Sequence, residues 1–141
     1  MRTGWRRTTN AYARAREFGK SLNEIRHHFW LRMVLISDGE TVSFPWCDTW
    51  SEMDRFFQWL ETADDGKDWW DADQGWEMAV IRAGDRFHVR EGDGEDEEYF
   101  NIALPREPLL ASVASLRDRV PKLIARLADR IGEDNWTTHR R

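Results

Sequence analysis

The chain has 141 residues and a formal net charge of −5, and 40% of its residues are hydrophobic, 13% aromatic and 33% charged. This composition excludes a disordered chain, and the length suffices for one domain with its own core. The single cysteine, Cys47, excludes an intramolecular disulfide and favours a reducing compartment. We expect a single domain over residues 1–141, in which residues 1–8 are disordered and residues 133–141 form a loose tail.

The first half of the chain shows neither a signal peptide nor a membrane span. The basic N-terminus is not followed by the apolar segment that a signal peptide requires. The longest apolar run, Phe29–Ile36, is interrupted by Arg32 and is too short to cross a bilayer. The sequence therefore predicts a cytoplasmic protein with no membrane partner.

The N-terminal third predicts a helix followed by a β-hairpin. Apolar residues recur every three or four positions over Asn10–Ile25, which indicates a helix. The run His28–Ile36 is apolar on both faces, as in a central strand. Asp38-Gly39 is typical of a two-residue hairpin turn, and Thr41–Phe44 alternates as the returning strand.

The middle of the chain predicts a second helix and an acidic loop. Thr49 and Glu52 have the spacing of a capping box that opens a helix extending to about Thr62. Residues Ala63–Gln74 contain many aspartates around Gly66 and are interpreted as a loop.

The remainder predicts a three-strand meander and a long helix. The strands are Trp76–Arg82, Arg86–Arg90 and Tyr99–Leu104, with a second acidic loop at Gly92–Glu98. An apolar stripe from Leu109 to Ile131 indicates a helix that is kinked, or divided into two abutting helices, at Pro121 and ends before Gly132. The fold class is α+β: an antiparallel sheet of about five strands, hairpin plus meander, packed by an N-terminal, a middle and a long kinked C-terminal helix.

No pattern in the sequence indicates catalysis, a metal or a cofactor. His27 and His28 are adjacent in a predicted strand and point to opposite faces, so they cannot chelate one metal together. The acidic loops lack the glycine and glutamate offsets of a calcium-binding EF-hand. We predict a protein that is not an enzyme. The alternative, a small enzyme of unknown chemistry, predicts a pocket that gathers His88, Glu77 or Cys47 with other polar groups.

Charge is distributed unevenly along the chain. Nineteen carboxylates and five cationic side chains lie between Asp38 and Phe100, a formal −14, while the flanking segments are positive. Six of the nine tryptophans lie in this acidic stretch. Carboxylates steer a basic partner at long range and large aromatics anchor it at short range, whereas nucleic acid would be repelled.

We therefore predict that the acidic loops and their tryptophans form one exposed patch that faces a protein partner. Trp69 and Trp70 either both pack as a lid over the helix Trp50–Leu60 or leave one indole exposed as an anchor. The partner-facing candidates are Asp64, Asp65, Asp68, Trp69, Trp70, Asp71, Asp73, Asp93, Glu95, Asp96, Glu97 and Glu98.

The hairpin Trp30–Phe44, the aromatic helix Trp50–Leu60 and the acidic loops resemble the small acidic immunity proteins of bacterial polymorphic-toxin systems. Those proteins neutralise a cognate toxin, often a basic nuclease, by covering its active cleft. The resemblance implies a non-enzymatic inhibitor that binds a basic toxin through its acidic surface.

A second resemblance is to the small acidic chaperones of type III secretion. It rests on Phe100–Leu104 running into Pro105-Arg-Glu-Pro-Leu-Leu and a long C-terminal helix. It implies a homodimer that holds an unfolded segment of a secreted effector. The chain departs from that family by placing three predicted strands after the middle helix.

Overall fold

The computed structural model describes residues 31–37, 39–44, 49–73, 76–93 and 100–138. The elements in chain order are β1 (Met33–Ser37), β2 (Glu40–Phe44), α1 (Trp50–Thr62), β3 (Asp68–Asp73), β4 (Trp76–Ala83), β5 (Arg86–Asp93), β6 (Phe100–Pro105) and α2 (Arg106–Ile131). They form a single α+β domain, which confirms the predicted fold class. The predicted N-terminal helix and disordered N-terminus lie outside the described residues, as do His27, His28 and Cys47.

The described strands form two antiparallel sheets rather than one. β1 pairs with β2, and the other sheet has the order β3-β4-β5-β6. The register pairs Ser37 with Glu40, and Gly39 has a φ of 83°, so the predicted two-residue turn is confirmed. Within the described residues β1 pairs with β2 alone, and Ile36 is 43% exposed, so β1 is not buried on both faces as the apolar run predicts.

The segment Ala63–Gln74, predicted to be an acidic loop, contains a strand. Residues Asp68–Asp73 form strand β3 and pair with β4 from the Asp68–Ile81 row to the Asp73–Trp76 row. Aspartate is depleted in strands, so the local sequence disfavours this structure. Pairing with strand β4 and partial burial of Trp69 against the core override that preference.

Helix α1 begins where the sequence predicts. The carboxylate of Glu52 accepts a hydrogen bond from the backbone N–H of Thr49 at 3.1 Å, within the predicted capping box. The chain's own C-terminal segment caps the next two positions: Trp50 N–H donates to the carbonyl of Trp136 at 2.7 Å, and Ser51 N–H donates to that of Thr137 at 2.9 Å.

The C-terminal segment is therefore held against α1 at Trp136 and Thr137, within the stretch that we expected to form a loose tail. Trp136 is 2% exposed and belongs to the core. Asp134 accepts hydrogen bonds from the backbone N–H groups of Trp136 and Thr137 and from the Thr137 hydroxyl. Partial burial disfavours its ionised form, but these three hydrogen bonds together outweigh burial and lower the pKa of Asp134.

Helix α2 continues through Pro121 without interruption, so the alternative of two abutting helices is wrong. It ends at Gly132, which has a φ of 87°, as predicted. The guanidinium group of Arg117 links α2 to α1. Its Nε lies 3.0 Å from Oδ1 of Asp54, and its Nη1 lies 2.5 Å from Oε1 of Glu61. The hydrogen bond to Glu61 is the main cause that raises the pKa of Arg117.

Candidate protein-binding surface

The two adjacent tryptophans of β3 point to opposite faces of the sheet. The Trp69 ring packs under α1, with its centroid 5.5 Å from that of Phe56 and 6.0 Å from that of Trp59. Trp70 is 61% exposed. Successive strand residues alternate between faces, so a pair of neighbouring indoles places one in the core and one outside it. This is the second of the two arrangements that the sequence allows.

Strand β3 is one edge of the four-stranded sheet. The first ladder bonds join Arg82 N–H to the carbonyl of Lys67 at 2.9 Å and Gly66 N–H to the carbonyl of Arg82 at 2.8 Å. In an antiparallel pair, every second residue of a strand directs its backbone N–H and C=O toward the partner strand. The backbone groups of residues 69, 71 and 73 therefore point toward β4. The backbone groups of Asp68, Trp70 and Ala72 consequently point away from the sheet.

One hydrogen bond at the edge supports this assignment. The N–H of Ala72 donates to Oδ1 of Asp71 at 2.9 Å, a side-chain partner in place of a ladder partner. The outward groups that remain for a ligand are the N–H and C=O of Asp68, the N–H and C=O of Trp70 and the C=O of Ala72. Among the described residues, no strand pairs with β3 on that side, since β3 is terminal in the strand order.

The outer face of the same sheet is exposed around Trp70. Trp70 lies opposite Ala79 on β4, and Ala79 lies opposite Arg90 on β5. Asp68, Trp70 and Arg90 are all exposed. The small side chain of Ala79 leaves the Trp70 ring without a bulky neighbour at that position.

The aspartates at the start of β3 lie among cations, so they do not join the single acidic patch that the sequence predicts. Asp64 and Asp65 are exposed beside the turn that joins β4 to β5, where Asp65 accepts a hydrogen bond from Gly84 N–H at 2.6 Å. Arg82 bonds to the carbonyls of Ala63 and Gly84 in the same region. This end of the sheet, which also carries Lys67, Arg86 and Arg106, is called the turn end.

Carboxylates concentrate at the opposite end of the sheet. The last three rows of the β3–β4–β5 ladder, residues 71–73, 76–78 and 91–93, carry five carboxylates and no lysine or arginine. We call these rows the acidic end; its carboxylate residues are Asp71, Asp73, Glu77, Glu91 and Asp93. Glu77 and Glu91 also engage other groups.

The described aspartates of the predicted patch are therefore divided between the two ends of β3. Five steps along a strand separate Asp68 from Asp73, roughly 17 Å. Charges this far apart are largely screened from each other at physiological ionic strength, where the Debye length is about 8 Å. The backbone positions of Asp73 and Asp93 belong to the acidic end, and Glu95, Asp96, Glu97 and Glu98 lie outside the described residues.

The outward backbone groups of β3 were missed by the sequence analysis. A signal was present in Trp69-Trp70, since adjacent indoles fit a strand with one buried face better than a solvated loop. Gly66 is a second signal, because a glycine before an aromatic pair is typical of a turn that leads into a strand. In the structure, Gly66 has a φ of 78° in the turn before β3.

The residues considered for catalysis are not brought together in the described part of the chain. Glu77 pairs with Gly92 and His88 with Ile81, so they lie on adjacent strands but four rows apart. Among the described residues, no three His, Cys, Asp or Glu side chains are close enough to hold a metal ion. Neither helix in the described ranges combines the length and apolar character needed to traverse a bilayer.

Comparisons of the chain with protein-family models, with curated proteins and with solved structures found no match.

Proposed function

We propose that this protein is a non-enzymatic inhibitor that binds a basic protein partner, in the manner of an immunity protein that neutralises a basic, nuclease-type toxin. The observation that carries the proposal is Trp70, an indole 61% exposed on an edge strand between Asp68 and Asp71. Exposed aromatics beside unpaired strand backbone are hazards for aggregation, and a binding role explains their presence.

Trp70 supplies the short-range part of the mechanism. Tryptophan is enriched among residues that dominate binding energy, because one side chain buries a large rigid area. Its neighbour Trp69 is held by Phe56 and Trp59, so the backbone beneath Trp70 is fixed before binding. A prearranged anchor of this kind loses little conformational entropy when the partner covers it.

The acidic end supplies the long-range part. Its rows contain no lysine or arginine, whereas the carboxylates of the turn end lie among cations. Steering of a basic partner therefore depends on Asp71, Asp73 and Asp93 more than on Asp64 and Asp65. We also propose that Glu95, Asp96, Glu97 and Glu98 contribute to this field.

The experiment uses the product of the neighbouring gene as the candidate toxin. We expect that product to carry a basic surface, to bind this protein, and to lose its toxic activity in the complex. Trp70→Ala should weaken binding about 30-fold, equivalent to about 2 kcal/mol, in isothermal titration calorimetry. Ile36→Ala is the matched control, because Ile36 is 43% exposed on the other sheet.

Two results would contradict the proposal. The neighbouring product could fail to bind, or Trp70→Ala could bind it as tightly as the native protein. A stable homodimer by light scattering, with an effector segment bound instead of a toxin, would favour the secretion chaperone.

A further inference from the structure

We infer that the β3 edge receives an extended, lysine- or arginine-containing segment of the partner as a fifth strand of the four-stranded sheet. The inference rests on the proposed function for the identity of the surface and adds how the partner is held. In this mode of recognition, main-chain hydrogen bonds supply affinity and alternating side chains supply specificity.

The backbone of β3 provides the hydrogen-bonding groups. Asp68 and Trp70 direct both their N–H and C=O groups away from β4, as the alternation set by the Lys67–Arg82 pair requires. Ala72 offers its C=O, while its N–H is bonded to Asp71. An incoming strand can thus form up to five main-chain hydrogen bonds to this edge, counting one for each of these groups.

The charge of β3 selects the occupant. Three of its six residues are aspartates, and it contains no cation. A second copy paired along this edge would bring two such strands together, and like charges on paired strands are destabilising. A segment with lysine or arginine relieves the same charge, so a basic strand is favoured over self-association.

The two faces of β3 set the pattern of the incoming strand. On the outer face, its side chains would neighbour Trp70, which favours an apolar residue there. On the inner face, they would neighbour Asp71, which favours lysine or arginine. The fitting sequence therefore alternates basic and apolar residues.

The probe is a short capped peptide of alternating lysine and valine, titrated into the 15N-labelled full-length protein. We expect amide hydrogen exchange at Asp68 and Trp70 to slow at least about tenfold. A peptide of alternating glutamate and valine should leave both amides unchanged. The inference is overturned if the lysine peptide has no effect, or if both amides are already protected in the free protein because another segment or copy occupies the edge.

Two isomeric peptides test main-chain pairing directly. One carries N-methyl groups on its lysines and the other on its valines, so they share composition and charge. A strand pairs with its neighbour through alternate residues, so one isomer should bind like the parent and the other should lose at least about tenfold in affinity. Equal binding of the two isomers would overturn strand addition.

A charge reversal in the protein tests the chosen chemistry. Asp71→Lys should weaken the lysine peptide at least about threefold, because Asp71 lies on the inner face, where the lysines of the added strand neighbour it. Asp129→Lys, the same charge change at an exposed position of α2, should have a smaller effect. Equal effects would mean that net charge alone attracts the peptide, against a site on β3.

The outcomes separate this inference from the proposed function. A toxin that binds and is weakened by Trp70→Ala, together with equal binding of the two isomers, would retain the inhibitor and reject the added strand. Selective binding of one isomer, together with a neighbouring product that does not bind, would retain the strand site and reject the toxin as its partner.

Discussion

The inner and outer faces of the four-stranded sheet are built from the same strands but have different neighbours. On the inner face, Met78, Val80, Phe87 and Val89 are each at most 1% exposed. On the outer face, Trp70 is exposed, as are polar residues of β5. The inner face has its apolar surface covered within the chain, whereas the outer face keeps a large indole in solvent, which marks it as the side available to a partner.

The two edge strands of the sheet, β3 and β6, also have different surroundings. β6 continues directly into α2, and its Leu104 and Pro105 lie near the β1–β2 hairpin at Leu35 and Ile36. β3 instead presents aspartates and outward backbone groups. Both strands are terminal in the sheet, but β6 lies beside the hairpin, whereas the β3 edge carries the aspartates and Trp70 that suit a basic strand.

The largest change in stability is expected when residues on the two faces of β5 are substituted in turn. Phe87→Ala should lower the free energy of unfolding by about 3–5 kcal/mol, because Phe87 is fully buried beside Trp59. His88→Ala, at an exposed outward position, should change it by less than about 0.5 kcal/mol. Urea denaturation measures both, and similar losses would contradict the assignment of faces.

A second pair of substitutions, at Trp69 and Trp70, compares the two faces of β3. Trp69→Ala should cost about 2–3 kcal/mol of stability, less than a fully buried aromatic because Trp69 is only partly buried. Trp70→Ala should cost less than about 0.5 kcal/mol while weakening partner binding. If thermal denaturation showed Trp70 to be the more important for stability, the indole would belong to the core and the proposed anchor would be lost.

A smaller effect concerns the helices that cover the inner face. Arg117→Met should remove about 0.5–1 kcal/mol, since its contacts with Asp54 and Glu61 are partly exposed and screened. Lys122→Met is the control, because its pair with Asp118 is two-thirds exposed and lies within one helix. Equal stabilities of the two variants in urea would show that the contact between α1 and α2 does not depend on Arg117.

The smallest effect is a loss of stability in acid. Hydrogen bonds lower the pKa of Asp134 below its ordinary value of 3.8, so the unfolded chain binds its proton more readily than the folded one. The stability that Asp134 contributes is fully present when the pH is above its ordinary pKa. That stability is lost as the pH falls through the lower pKa of the folded state. Asp134→Asn should therefore show a smaller drop in melting temperature between neutral pH and pH about 3; an identical drop would exclude Asp134 as a source.

Features fixed by neighbouring residues could be predicted from the sequence. The turn at Gly39 and the capping box at Thr49 and Glu52 depend on contacts within a few residues. The apolar stripe of α2 is visible because its residues recur at helical spacing. Strand β3 could not be predicted, because its aspartates disfavour a strand and its pairing partner β4 stabilises it.

The candidate site could be predicted only in part. The exposed indole of Trp70 was one of two arrangements left open. Strand β3 places Asp68 and Asp73 at its opposite ends, a separation that the prediction of a loop did not include. Trp136 was also missed, because a lone aromatic in a polar segment has no periodicity. Its burial accompanies the capping of α1, more than eighty residues away in sequence.

Amide hydrogen exchange in the free protein tests most directly that the β3 edge is open to a partner. We predict slow exchange at Trp69 and Asp71, whose N–H groups face β4, and fast exchange at Asp68 and Trp70, whose N–H groups face outward. Slow exchange at Trp70 in the monomeric free protein would contradict it, because the edge would then already be paired.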